Sequence, residues 1–313
     1  MTTHPRTDGL MLTDGGLETV LVFEDGLDLP AFAAFPLIDT AAGRERLARY
    51  ARDYLRVAER LRTGFVLETP TWRANRDWGD KLGYSADDLR RVAHDSVALA
   101  HSLRSEWHGS GEVLVSGCLG PRGDGYVPGL VMAADEAADY HRAQVRDLAD
   151  AGADLITSFT LSYVDEAIGV VAAAAEVGVP VVVGFTVETD GTLPSGVSLE
   201  EAVRAVDART GGYPSWFMVN CAHPEHVRAG LNADTTWTSR IRALRANASR
   251  RSHAELDEAS ELDAGDPVEF GTGYVDLATL LPALKVLGGC CGTDIRHVAA
   301  VAAAWTSRPP AGR

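Results

Sequence analysis

The amino-acid sequence predicts a single (β/α)8 barrel, and three features carry that prediction. Eight short apolar runs of strand length recur along the 313 residues. Amphipathic segments with helical spacing lie between them, the alternation that builds a parallel sheet covered by helices. No glycine-rich dinucleotide fingerprint follows the first run, which removes the main support for a doubly wound open sheet.

In chain order the predicted strands are residues 10–14, 65–69, 113–117, 155–160, 179–187, 216–221, 241–246 and 284–290. The helical patterns are 44–62, 86–106, 135–151, 164–177, 199–209, a short one from Pro224, a broken one, and 294–305. The fourth unit is the clearest: Asp165 and Glu166 open a helix with acids in its first turn, and Gly178 closes it before Val179-Pro180-Val181-Val182-Val183. Residues 252–272 follow the seventh run and are long, acidic and without period, which suits a lid or binding loop, or else a solvated insertion. No repeat, low-complexity tract or linker divides the chain. One barrel domain is expected over 9–306, with residues 1–8 and 307–313 as flexible ends.

Composition narrows the function. Hydrophobic content is 46% and charged content 23%, ordinary for a soluble enzyme. The net charge of −15, from 29 basic and 44 acidic residues, disfavours nucleic acid and anionic membrane as partners. No run approaches the roughly 18 apolar residues of a membrane span, and the first residues lack an apolar signal core. A cytoplasmic location is expected.

The most informative stretch runs from Val286 to His297 and contains Gly288-Gly289-Cys290-Cys291-Gly292. In a regular strand, neighbouring side chains point to opposite faces, so two adjacent sulfurs reach one ion only if the chain bends. Gly288, Gly289 and Gly292 are expected to supply that bend through backbone angles closed to other residues. Cys221 ends another apolar run, after Asn220. Three thiolates from two strand ends would make a soft zinc site with its fourth position open, the pattern of catalytic rather than structural zinc. The plainer alternative for each cysteine is packing, since free cysteine is commonly buried. In a barrel the reactive groups lie at the carboxyl ends of the strands. Cys221, Cys290 and Cys291 fall there, as do Asp14, Gly15, Gly16, Glu18, Glu68 and Glu188.

These residues resemble a known family. Asp14-Gly15-Gly16, Asn220-Cys221 and the Gly-Gly-Cys-Cys-Gly run look like the signature of the homocysteine S-methyltransferases. Gly117-Cys118-Leu119-Gly120-Pro121 and Asp150-Ala151-Gly152-Ala153-Asp154 fit it as well. The resemblance spans residues 13 to 305 in order. It implies a zinc-dependent barrel that methylates the thiol of homocysteine to give methionine. The methyl donor is a sulfonium such as S-methylmethionine or S-adenosylmethionine, betaine, or a folate in larger members. By position, Cys221, Cys290 and Cys291 would hold zinc, Asp14, Gly15 and Gly16 would line the amino-acid pocket, and Asn220 would brace the metal site. One departure stands out: many members carry a glutamate at the end of the fourth strand, and Phe159 stands here. Glu68 is the expected replacement charge, ahead of Glu18 and Glu188. A different small thiol or selenol acceptor, or a non-catalytic zinc and thiol binder, are the alternative readings.

Trp72 and Phe159 could face a sulfonium through cation–π contact, or simply pack. His223 precedes Pro224, which suits a first helical position, so it is expected just before a helix start rather than as a metal ligand. Cys118 is expected as a small buried residue near the pocket. A zinc hydrolase is disfavoured, because all-thiolate zinc acidifies water poorly and no His-Glu-x-x-His pair occurs.

Overall fold

Residues two apart along a strand share a face, and here that alternation sorts side chains to the inside and outside of a closed sheet. The computed structural model describes residues 9–259 and 261–308. Its strands are β1 (Met11–Leu12), β2 (Gly64–Glu68), β3 (Val113–Leu119), β4 (Leu155–Leu161), β5 (Val181–Phe185), β6 (Trp216–Asn220), β7 (Ile241–Ala246) and β8 (Val286–Gly289). They pair in sequence order, all parallel, and β1 pairs with β8 to shut the barrel. One residue from each strand fills the lumen: Met11, Val66, Leu114, Leu155, Val182, Trp216, Ala243 and Val286. Their neighbours, such as Phe65, Leu67, Phe217 and Val219, pack outward under the helices in the main core. The lumen is therefore plugged below, and the strands' carboxyl ends stand above that plug.

The outer helices are α1 (Ala41–Leu61), α2 (Arg76–Leu82), α3 (Ala86–Ser105), α4 (Ala134–Asp150), α5 (Val164–Val177), α6 (Leu199–Thr210), α7 (Pro224–Ala229), α8 (Thr235–Thr238), α9 (His253–Asp257), α10 (Pro267–Leu277) and α11 (Ile295–Ser307). Local chemistry sets their ends. Ser85 with Asp88 and Ser198 with Glu201 form capping boxes, and Gly178 closes α5 in the left-handed conformation at φ 72°.

Three segments differ from expectation. Between β1 and α1, a helical turn at Leu17–Thr19 runs into a π turn at Val20–Glu24 and two 3-10 turns, which bury Leu21, Leu29 and Ile38 as a satellite core. Helix α2 is only seven residues long, too short for a periodic signal, although Asn75 caps it by accepting from the Trp78 N–H at 3.1 Å. The 252–272 stretch is not all loop: Asp266 accepts from Val268 N and Glu269 N and Pro267 takes the first position of α10. Helix α11 runs through Ser307; residues 1–8 and 309–313, nearly all of the two ends expected to be flexible, lie outside the described residues. Among the described residues, no helix is long and apolar enough to cross a membrane.

Candidate metal centre

Strands β6 and β8 are separated only by β7, so the residues that follow them meet above the lumen. The sulfurs of Cys221, Cys290 and Cys291 all lie within 4.8 Å of one another. Cys221 and Cys290 have Cα atoms 5.4 Å apart and sulfurs in disulfide contact, and Cys291 is free and half-buried beside them. Disulfide and metal are competing uses of the same two sulfurs, so the metal-holding form is the reduced one. A close, partly buried set of three soft sulfur donors from two strand ends fits a thiophilic divalent cation.

Of the three glycines expected to bend the chain, Gly292 does so and the Gly288–Gly289 pair does not. Gly288 and Gly289 keep ordinary backbone angles; Gly292 (φ 75°) and Cys221 itself (φ 55°) are left-handed. The glycine pair is required by crowding instead. A Cβ on Gly288 would collide with Thr13 Oγ1 and lie 2.8 Å from the Asp14 carbonyl, and one on Gly289 would collide with Thr293 Oγ1. Likewise a Cβ on Gly15 would lie 2.7 Å from the Thr293 carbonyl, and one on Gly16 2.5 Å from that of Cys290. The end of β1 thus packs directly on the turn after β8. Gly289 N–H donates to the Asp14 carbonyl at 2.9 Å, and Gly16 N–H to that of Thr293 at 3.0 Å.

Cys221 is held from two sides. Asn220, fully buried, accepts from the Thr160 N–H at 3.0 Å and donates through Nδ2 to Thr160 Oγ1 at 3.2 Å, tying β6 to the end of β4. His253, on α9, donates through Nε2 to the Cys221 carbonyl at 2.8 Å, while its Nδ1 faces Glu188 at 3.2 Å. The His253 ring stacks on Tyr126 at 4.0 Å, and the Tyr126 hydroxyl lies 3.5 Å from Cys291 Sγ. Loops after β3 and β7 therefore meet over the cysteines. Loss of the Asn220 amide would free two polar groups and relax a left-handed ligand residue. Asn220→Ala is expected to weaken metal binding by about 10–100-fold, read by competition with a chromophoric chelator.

The cysteines border a cavity of about 400 Å3. Asp14, Gly15, Gly16 and Glu68 line it, together with Glu18, Cys118 and Phe159. Asn220 does not line it; its role is the brace just described. Glu188 also lies outside, engaged with His253. Residues of the 252–272 segment, Leu256, Glu261 and Asp263 among them, form part of the wall, which fits the binding-loop reading of that segment better than a solvated insertion.

The sequence reading missed Arg245. This residue is 5% exposed near the end of β7, ion-pairs with the Asp14 carboxylate, and donates through Nε to the Gly289 carbonyl at 3.0 Å. A readable signal existed: a second arginine in a run whose alternate residues face the lumen. Arg245 also sits 4.9 Å over the Phe159 ring, and Arg73 sits 4.7 Å over that of Trp72. The protein's own cations therefore already cover one face of each aromatic ring expected to meet a sulfonium. His223 stands just before α7 as expected, and caps it by accepting at Nδ1 from the Glu225 N–H at 3.2 Å.

Burial sets the charges. It pushes the Glu68 carboxyl up to about 8 and that of Glu18 to about 7, and raises the Cys291 thiol. For Glu68 this has a stability consequence. Below its ordinary value of 4.5 it is neutral folded or unfolded; between there and about 8 the unfolded group ionises while the folded one resists. Its contribution to stability therefore falls as pH rises through that window. Glu68→Gln is expected to flatten this decline in thermal melts across the same range; an unaltered decline would place its source elsewhere.

A sequence model of the homocysteine S-methyltransferase family matches residues 11–305. The chain belongs to that family. Homocysteine S-methyltransferase 1 of Arabidopsis thaliana is 23% identical over 319 residues, covering 95% of this chain and 93% of that protein. Selenocysteine Se-methyltransferase of Brassica oleracea var. italica is 24% identical, covering 97% and 91%. Among solved structures, the homocysteine methyltransferase MmuM from Escherichia coli superposes in its oxidized form with a TM-score of 0.75 at 23% identity, covering 95% of this chain and 96% of that one. Its metallated form gives 0.70. The family's barrel and the cysteine group thus coincide in one molecule.

Proposed function

We propose that the protein moves a methyl group from a sulfonium donor, S-methylmethionine or S-adenosylmethionine, to the thiol of homocysteine, giving methionine. The observation that carries this reading is the convergence of Cys221, Cys290 and Cys291 at the edge of the large cavity. In this proposal the reduced cysteines hold zinc, Asp14, Gly15, Gly16 and Glu68 line the acceptor site, and Asn220 braces Cys221 through Thr160. Zinc, when bound, would supply the acidity that ionises a thiol at neutral pH, where a free alkyl thiol with a pKa of roughly 8.5 is mostly protonated.

The rest of the chemistry falls to the chain. The acceptor sulfur attacks the methyl carbon in line; a new S–C bond forms, the donor's S–C bond breaks, and the donor leaves as a neutral thioether. The thiol proton passes to solvent, so no general base is required. The residues contribute alignment, and holding two reactants in line supplies ~7–11 kcal/mol in favourable cases. Asp124, Glu261 and Asp263 on the cavity wall favour a cationic donor over an anionic one.

The test is product detection by mass spectrometry. Reduced, zinc-loaded protein is offered homocysteine with S-methylmethionine, S-adenosylmethionine and betaine in turn. Methionine formation with a sulfonium donor is expected, and its absence with every donor would overturn the reading. Phe159 and Arg245 at the acceptor end favour including a second reading, transfer to another small thiol or selenol, and selenocysteine and cysteine in the same assay decide it.

A further inference from the structure

Two acids open α5, and they have opposite surroundings. Asp165 stays partly exposed and pairs with Arg209, whereas Glu166 is wholly enclosed. Glu166 Oε1 accepts from the Arg122 N–H at 2.7 Å. His141, equally enclosed on α4, donates to the same oxygen through Nε2 at 3.1 Å. Glu166 Oε2 and His141 Nδ1 have no hydrogen-bond partner. A buried pair left short of partners contributes little to stability, and apolar residues of similar volume often serve as well or better. What the pair holds gives it another use.

Arg122 and Met132 are the two feet of the loop between β3 and α4, and Tyr126 lies between them. The Met132 N–H donates to the Tyr163 hydroxyl at 3.1 Å, and Tyr163 is the N-cap residue of α5. Burial, and then the nearby Glu166 carboxylate, raise that hydroxyl's pKa. Both feet therefore rest on one helix end, off the cavity wall. Helix α5 is itself fixed against α4, since an added Cβ on Gly169 would lie 2.6 Å from the Ala138 nitrogen. The first foot is held further by Arg122 Nε on Asp77 at 3.0 Å and by Trp78 Nε1 on the Gly123 carbonyl at 3.1 Å. Above the feet, Gly123 is left-handed at φ 84°, and Val127, Leu130 and Val131 are exposed. Tyr126 reaches over to stack on His253, with its hydroxyl 3.5 Å from Cys291 Sγ.

We propose that residues 122–132 form a cover over the cysteines whose placement is set from outside the cavity by Glu166 and Tyr163, with His141 holding Glu166. This rests on the reading of the cavity as a thiol-methylation site. The feet stay fixed while the tip, clasped through the Tyr126–His253 stack, lifts to admit reactants and settles to keep them aligned and shielded from water. Glu166 and Tyr163 are positioning residues, since they lie off the cavity wall and act through Tyr126.

The experiment follows backbone hydrogen exchange, residue by residue, in the reduced, zinc-loaded full chain. Glu166→Met is expected to speed exchange at the Arg122 amide roughly tenfold or more, and Tyr163→Phe to do so at Met132. Glu166→Gln keeps an acceptor oxygen, and Asp165→Asn changes the exposed neighbour; both are expected to leave the two amides within about threefold of the parent. With homocysteine and S-methylmethionine, Glu166→Met and Tyr163→Phe are expected to lower kcat by about tenfold, with zinc content kept and KM within about threefold. Exchange unchanged in both variants, a loosened loop with unchanged kcat, or equal damage from Glu166→Gln and Glu166→Met overturns the proposal. If Glu166→Met fails to fold, Tyr163→Phe, which removes one oxygen atom, and the double variant Glu166→Met with His141→Leu are read by the same criteria. A parent chain that methylates no thiol would sink the methyl-transfer reading, and the exchange pattern, which needs no turnover, would still decide the anchoring of the loop.

Discussion

Cys290→Ser and Cys291→Ser are each expected to abolish metal binding and methyl transfer together. The three sulfurs form one group within 4.8 Å, and serine removes a soft, ionisable donor and leaves a hard hydroxyl that stays protonated at neutral pH. Two cysteines then remain where zinc favours at least three protein ligands. Zinc per reduced chain is expected to fall from about one to below roughly a tenth, and the rate of thiol methylation by about 10³-fold or more. Elemental analysis of protein purified under reductant checks the first figure, and mass spectrometry of product the second. Cys118→Ser is the comparison for metal content, because the Cys118 sulfur lies outside the group. Full zinc occupancy in Cys291→Ser would remove Cys291 from the ligand set.

The second large effect is expected at Gly288. Its added methyl would meet Thr13 Oγ1 and stand 2.8 Å from the Asp14 carbonyl, and that carbonyl already accepts from the Gly289 N–H. The carbonyl is backbone in the seam where β1, only two residues long, closes the barrel against β8. Neither side can yield without parting that seam. Gly288→Ala is expected to destabilise the fold by about 3 kcal/mol, lowering Tm by several degrees, and to reduce metal content as Cys290 shifts. Gly129→Ala, whose methyl would enter open space, is expected to melt with the parent protein. If the two variants melted alike, the seam would have slack that the packing does not suggest.

Much of this was written plainly in the chain. Each of the eight strands was visible because its residues alternate between lumen and helix layer, and both faces are apolar. The cysteine group was legible because cysteines at the ends of two runs have few reasons to share one end of a barrel. What escaped was of two kinds. The 17–39 segment folds through π and 3-10 turns, which have no period to detect. Arg245 was hidden because its meaning is relational: it becomes part of the site only through Asp14, 231 residues away, and through Phe159 on another strand. The glycines were recognised as necessary but for the wrong reason at Gly288 and Gly289, since tertiary crowding leaves no local trace.

The cavity is therefore written in two different media. On the β1–β8 side the chain packs so closely that an added Cβ meets a backbone carbonyl as well as a side-chain hydroxyl at Gly15, Gly16 and Gly288, and the Thr293 side chain at Gly289. Elsewhere on the wall, Phe159, Glu68 and Arg245 define the space with side chains. Inheritance can edit the second medium one codon at a time while the first stays fixed. Descendants of this scaffold are free to change which molecule they welcome, and far less free to change what is done to it.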